Sequence, residues 1–189
     1  YPREAFDDFL NLSGEVTESW AHAAAVIPVE RRPLFRHRMA ATEPWGAIKR
    51  LEREHPGYMD EVLREVDEFG PLTVSGLQDA GEKTGPWCGD GRGKIALAGH
   101  FHTGGLAAWR TGNFNRVYDL AQRRIPPGVL AIPTPDRDHA HRELLLLAAA
   151  SLGVATARDL ADYYRMKVRS VQPLLTEMVR TGRLVPARV

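Results

Sequence analysis

The chain has 189 residues, is 43% hydrophobic and carries a formal net charge of +1. That composition can bury a core and excludes bulk disorder, and no apolar run reaches the roughly 20 residues of a membrane-spanning helix. The single Cys88 excludes an internal disulfide and suits a reducing, cytoplasmic compartment.

No secretory signal opens the sequence, and Tyr1 is not an initiator methionine, so the chain is expected to begin inside a longer protein. Charge is unevenly distributed. Residues 1–70 hold 9 Lys/Arg against 14 Asp/Glu, residues 71–136 hold 7 against 5, and residues 137–189 hold 9 against 5. An acidic first third and a basic remainder fit one polar face turned to an anionic partner; ordinary surface scatter gives the same arithmetic.

Pro2 to Leu10 predicts a short helix with Phe6, Phe9 and Leu10 on one side, broken at Ser13-Gly14. Val16 to Ile27 reads two ways. Val16, Trp20 and Ala24 align on a helix, whereas Val16-Thr-Glu-Ser-Trp20 alternates as a strand does. Pro33 to Met39 predicts one or two basic helical turns with Arg31, Arg32, Arg36 and Arg38. Thr42 can cap the next helix, Pro44 to His55, and Tyr58 to Phe69 carries an apolar stripe of Met59, Val62, Leu63, Val66 and Phe69. After Gly70-Pro71, Thr73 is expected to cap a short helix containing Val74 and Leu77. Residues 81–93 read as a Gly-rich loop around Trp87, and Arg92 to Thr103 as a helix. Leu106 to Leu120 then predicts a β-hairpin turning at Thr111-Gly112-Asn113.

Residues 121–136, with four prolines, predict a semi-rigid linker. Arg137 to Leu152 is a long Leu/Ala helix ended by Gly153. Thr156 and Asp159 form a capping-box-like start for a helix with Leu160, Tyr163 and Tyr164. Lys167 to Thr181 is a further helix with Pro173 expected near its first turn, and Leu184 to Arg188 begins a strand.

The punctuation repeats. Gly70-x-x-Thr73-x-x-x-Leu77 matches Gly153-x-x-Thr156-x-x-x-Leu160, and Thr103-Gly104-x-Leu106 matches Thr181-Gly182-x-Leu184. Each copy is long helix, glycine, short helix, turn, long helix, Thr-Gly, strand. That order is a helix-turn-helix followed by a wing. The fold expected is mainly α with small β-hairpin wings, in tandem winged helix-turn-helix modules. Residues 1–43 are the remnant of a first module, 44–120 a second, 121–136 a Pro-rich linker, and 137–189 a third whose wing is cut at Val189.

Such modules place their last helix in the major groove and the wing on the backbone. Lys and Arg pair with phosphates, and amides and guanidiniums read base edges. The DNA-contact candidates are Arg92, Lys94, His102, Arg110, Asn113, Asn115 and Arg116 in one copy, and Lys167, Arg169, Ser170, Gln172, Arg180 and Arg188 in the other. The bland alternative is solvated charge on a protein-binding module. His100-x-His102 and His139-x-His141 lack the partners and spacing of a zinc site, and Gly89-x-Gly91-x-Gly93 lacks the strand of a dinucleotide fold, so neither metal nor cofactor is expected. Glu18, Trp20 and His22 form the one cluster resembling a site. On a strand all three share a face, where a carboxylate–imidazole pair orients water and an indole stacks on a base. A partly buried Trp with polar neighbours explains them equally.

Glu18-x-Trp20-Ala21-His22-x-Ala24, Pro28-Val29-Glu30 and Arg36-x-Arg38-Met39 resemble the AlkZ/YcaQ family of winged-helix DNA glycosylases. The likeness continues at Gly70-Pro71-Leu72, Trp87-x-Gly89, Lys94-x-Ala96-Leu97 and Phe114-x-Arg116-Val117-Tyr118-Asp119-Leu120. It implies monofunctional excision of alkylated, N7-substituted purines, unhooking of interstrand crosslinks, a β-rich domain after the winged helices, and a double-stranded DNA partner. It further implies a monomer acting at the nucleoid in the cytoplasm. It also favours the strand reading of residues 16–27. The family's Gln-x-Gln or Gln-x-Asp catalytic motif has no counterpart here and is expected upstream of Tyr1. Ala23 and Ala25 stand where the family often has Glu and Ser, which leaves Glu18, Trp20 and His22 as site-lining residues. Tyr118 and Asp119 are expected to be structural. A winged-helix transcription regulator without catalysis, and a protein-interaction scaffold, are the alternatives.

Overall fold

Glycine and proline set the ends of most elements. The computed structural model describes residues 2–41, 43–82, 91–111 and 113–188. The Thr42 cap, the loop around Trp87 with Cys88 and Gly89, and Gly112 of the hairpin turn lie outside the described residues. Helix α1 (Arg3–Leu12) leads into a two-stranded antiparallel sheet, β1 (Val16–Trp20) and β2 (Ala24–Pro28). A 3₁₀ stretch (Val29–Phe35) continues into α2 (Arg36–Ala41). Next come α3 (Gly46–Glu54), α4 (Tyr58–Phe69), the short β3 (Leu72–Thr73), a 3₁₀ turn (Val74–Gly76) and α5 (Arg92–Thr103). The hairpin β4 (Leu106–Arg110) and β5 (Arg116–Leu120) joins β3 in an antiparallel sheet of order β3-β5-β4. Helices α6 (Ala121–Arg124), α7 (Pro127–Ala131), α8 (Arg137–Leu152), α9 (Ala157–Tyr163) and α10 (Val168–Arg180) complete a mainly helical chain. Among the described residues, no single helix is long and apolar enough to cross a membrane.

Val16 to Pro28 is the hairpin that alternation allowed. Thr17 and Ser19 are buried while Trp20 stays open, and Trp20 pairs with Ala24 next to the turn. The helical alternative would have grouped Val16, Trp20 and Ala24 on one buried stripe.

Burial organises the chain around two larger cores and a small one. Leu51, Val62, Val66, Leu97, Leu106 and Tyr118 close one around α3, α4, α5 and the three-stranded sheet. Ala21, Ile27 and Phe35 of the N-terminal segment share the other with Leu144, Leu145, Val171 and Met178 of α8 and α10. Gly99 on α5 and Gly104 at its C-cap are close-contact positions. A Cβ on Gly99 would sit 2.9 Å from Ile48 Cδ1 of α3. Gly104 ends α5 at φ +83°, and a Cβ there would meet Met39 Sδ at 2.7 Å.

Four expectations are corrected. Residues 121–136 are not an extended linker. They hold α6 and α7, and Ala121 and Ile125 (2% exposed) pack with Val29 and Ala107 in the small core. Four prolines fix φ locally, but the apolar Ile125 that precedes them has a core to enter. Thr73 does not cap an α-helix; a 3₁₀ turn forms, and Thr73 Oγ1 bonds Ser75 Oγ at 3.0 Å instead. Leu184 to Arg188 forms no strand, since no neighbouring strand among the described residues supplies ladder bonds. Pro173 lies deeper than the first turn of α10, so the Arg169 carbonyl loses its i+4 donor. The Thr156–Asp159 capping box forms with both reciprocal bonds.

Candidate functional site

A cavity of about 290 Å³ opens where the β1–β2 hairpin, the start of α2, α5, β4 and the α9–α10 connection converge. Trp20 at the end of β1 and His22 in the turn after it lie at the cavity, with His102 of α5 and Arg165 on the same lining. Ser19, Arg32 and Phe35 line its deeper part and are 3%, 6% and 2% exposed, against 42% for Trp20. The strand ends at Trp20, so His22 reaches the cavity from the turn and not from a shared strand face. Its Nδ1 lies 3.1 Å from the Asp162 carbonyl, and Arg165 Nε donates to the His22 carbonyl at 3.3 Å. These bonds tie the hairpin turn to the end of α9.

Trp20 and His102 form one wall, and Trp45, outside the lining, packs on His102. The His102 imidazole stands 5.3 Å from the Trp20 ring and 5.4 Å from the Trp45 ring, the latter edge-on. Burial lowers the His102 pKa below its usual value, so the ring is neutral at neutral pH. Trp20 thus offers a partly open indole face backed by an uncharged ring. Such a face stacks on any nucleobase, and aromatic stacking contributes about 1–3 kcal/mol per base.

Glu18 lies beside this wall but is engaged. Its side chain is 8% exposed, and its two oxygens accept from Arg110 Nε at 2.5 Å and Arg116 Nε at 2.7 Å. Arg110 also donates to the Phe114 carbonyl at 3.1 Å and lies 4.5 Å over the Phe114 ring. Arg116 lies 5.1 Å over the Phe101 ring. The two hairpin arginines read from the sequence as phosphate contacts therefore face Glu18, and the pair fastens the β4–β5 hairpin to β1. Asn113 and Asn115 remain exposed at the turn. Asp119 is buried, accepts from the Leu120 N–H at 2.8 Å and meets Arg123, which also donates to the Val66 carbonyl of α4 at 3.1 Å. Tyr118 packs edge-on against Phe101. Both are structural, as the sequence indicated.

The remaining candidates separate by burial. Arg92 pairs with the Asp79 carboxylate and lies 5.4 Å over Tyr58. Lys94 is exposed on α5. In and around α10, Lys167, Arg169, Ser170, Gln172, Arg180 and Arg188 are all exposed. Arg169, Gln172 and Arg180 share the outer side of α10, spaced so that they follow one helical face. Arg142, Arg165 and Arg183 pair with Glu177, Asp162 and Glu143, whereas Lys167, Arg169, Arg180 and Arg188 form no ion pair among the described residues.

Three of the four arginines between residues 31 and 38 have a use the sequence did not disclose. Arg32 donates to the Gly104 carbonyl at 2.9 Å, Arg36 to Val129 at 2.7 Å, and Arg38 to Ala21 at 3.2 Å and Tyr164 at 2.5 Å. They bind the ends of neighbouring elements together. Ser19, Arg32 and Arg165 were missed as site residues. Alternation along β1 was the available signal for Ser19; the others come from segments far apart in the sequence.

The DNA glycosylase AlkZ-like family matches residues 1–189. The chain belongs to that family. No solved structure matches it. Membership gives this AlkZ-like chain a DNA glycosylase role in DNA repair, with DNA as substrate or partner. Among the described residues no group of three or more His, Cys, Asp or Glu could hold a metal ion.

Proposed function

We propose that this chain is the DNA-binding core of a monofunctional glycosylase that excises N7-alkylated purines from double-stranded DNA, acting as a monomer. The Trp20–His102 wall carries the reading: an open indole in a cavity close to the lower end, about 300 Å³, of ligand-site volumes suits one nucleobase taken out of the stack. N7-alkylation gives guanine a cationic leaving base, so the enzyme has only to stabilise the sugar cation and direct water. The unpaired face of α10 supplies the duplex contact, with Arg169, Gln172 and Arg180 toward the groove and Lys167 and Arg188 toward phosphates. In this reading residues 44–120 and 137–189 act as winged helices on either side of the cavity, and interstrand crosslinks bridged through N7 are substrates of the same reaction.

The test is release of free N7-methylguanine from a duplex by the protein carrying this chain, with an intact strand bearing an abasic site as the other product. Sequence-specific duplex binding without base release would favour the regulator alternative.

A further inference from the structure

The buried lining of the cavity carries more positive than negative charge. Arg32 is 6% exposed and borders the cavity, yet it donates to a carbonyl, Gly104 O at 2.9 Å, and not to a carboxylate. Arg36 lies close enough to lower its pKa further after burial has lowered it. Ser19 borders the same space at 3% exposure, and its Oγ is buried with no hydrogen-bond partner. The acidic side chain on the lining, Glu18, already has a guanidinium on each oxygen. A buried guanidinium without a counter-charge and a buried hydroxyl without a partner each cost stability unless a ligand completes them. Arg165, at the opening, adds positive charge only partly offset by Asp162 at 3.0 Å. Arg32 and Ser19 both border this cavity, and a fork of N–H donors together with a hydroxyl matches the oxygens of a phosphoryl group.

We propose that Arg32 and Ser19 form a phosphate-binding subsite in the inner part of the cavity, below the Trp20 wall. The group bound is a phosphodiester of a DNA strand entering the cavity, or a phosphate of a free nucleotide; the chemistry is the same. The subsite is independent of which base, if any, is excised.

The full chain is titrated with sodium phosphate at constant ionic strength, chloride being exchanged for phosphate, while the thermal midpoint is followed. Phosphate raises the midpoint of the wild type. Ser19→Ala, which deletes a hydroxyl that no protein group uses, keeps the fold and weakens the apparent phosphate affinity about tenfold, the size of one hydrogen bond to a charged group. Arg32→Gln abolishes the response. Two results overturn the subsite: a wild type that responds to phosphate no more than to chloride, or a Ser19→Ala variant with wild-type phosphate affinity. The second result stands even if Arg32→Gln does not fold. The source is then separated with duplexes carrying one methylphosphonate at successive positions. Weakened binding at a single position, lost in Ser19→Ala, assigns the site to the DNA backbone. Equal binding by every duplex, with the phosphate response retained, assigns it to a free nucleotide.

Discussion

Replacing Glu18 with Ala removes the counter-charge shared by Arg110 and Arg116. Breaking a buried ion pair costs about 3–5 kcal/mol, most of it from the charge left without a partner. Here the carboxylate is 8% exposed, but the arginines are 28% and 19% exposed, so water reaches them once it is gone. Each also keeps an aromatic neighbour, Phe114 or Phe101. The discounted cost is about 2–4 kcal/mol, a fall of roughly 4–16 °C in the thermal midpoint for a chain of this length. Glu18→Gln keeps the shape and one acceptor and loses less. Urea unfolding of wild type, Glu18→Ala, Arg116→Met and the double variant measures both cost and coupling. A coupling energy above about 1 kcal/mol is expected for groups in direct contact. A loss for Glu18→Ala of no more than about 0.5 kcal/mol, the scale of an exposed surface pair, would refute the buried bridge and leave both arginines available to phosphates.

Three further outcomes follow from other parts of the chain. Arg169→Ala with Arg180→Ala weakens binding to undamaged duplex and flattens the dependence of log affinity on log salt by about 0.9 for each phosphate that α10 no longer neutralises; an unchanged slope in a salt titration excludes that face of α10. Ile125→Ala, emptying a site that is 2% exposed, costs about 2–5 kcal/mol in denaturant unfolding, whereas a true linker residue would cost almost nothing. His141 packs edge-on against His37 at 5.0 Å, and burial, followed by the neighbouring His37 and Arg38, pulls its pKa from 6.5 down to about 4. The unfolded state therefore binds the extra proton first as pH falls. Stability is full above about pH 6.5 and declines toward pH 4, by up to about 3 kcal/mol from this group. His141→Phe should flatten that part of the stability–pH profile, and an unchanged profile would remove His141 as its source.

Helices α4, α5 and α8 and the β4–β5 hairpin were legible because each carries its own stop and period. Gly70, Gly104 and Gly153 end the helices, and a Gly/Asn turn separates two β-favouring runs. What stayed hidden depends on partners distant in sequence. Glu18 meets Arg110 and Arg116 across 92 and 98 residues, and Arg36 meets Val129 across 93. A basic run such as Arg31 to Arg38 looks like a solvated face until the carbonyls it binds are in place. Proline density likewise suggested a spacer at 121–136, although Ile125 was the sign that the segment had a core to enter. At the candidate site, Trp20 and His22 could be singled out from their spacing, although His22 reaches the cavity from the turn after β1 and not from the strand face that the spacing implied. That His102 backs Trp20, and that Ser19 and Arg32 lie beneath it, follows only from how the hairpin packs on α5.

The most direct measurement is the single-turnover rate of N7-methylguanine release from duplex DNA by wild type, Trp20→Ala and Trp109→Ala proteins. Trp109 sits on β4 outside the cavity lining, with Arg124 stacked 4.6 Å over its ring. Losing one base–aromatic stack of about 1–3 kcal/mol slows Trp20→Ala by roughly 5- to 150-fold, while Trp109→Ala keeps the wild-type rate. Release by Trp20→Ala at the wild-type rate would contradict the placement of the base in this cavity.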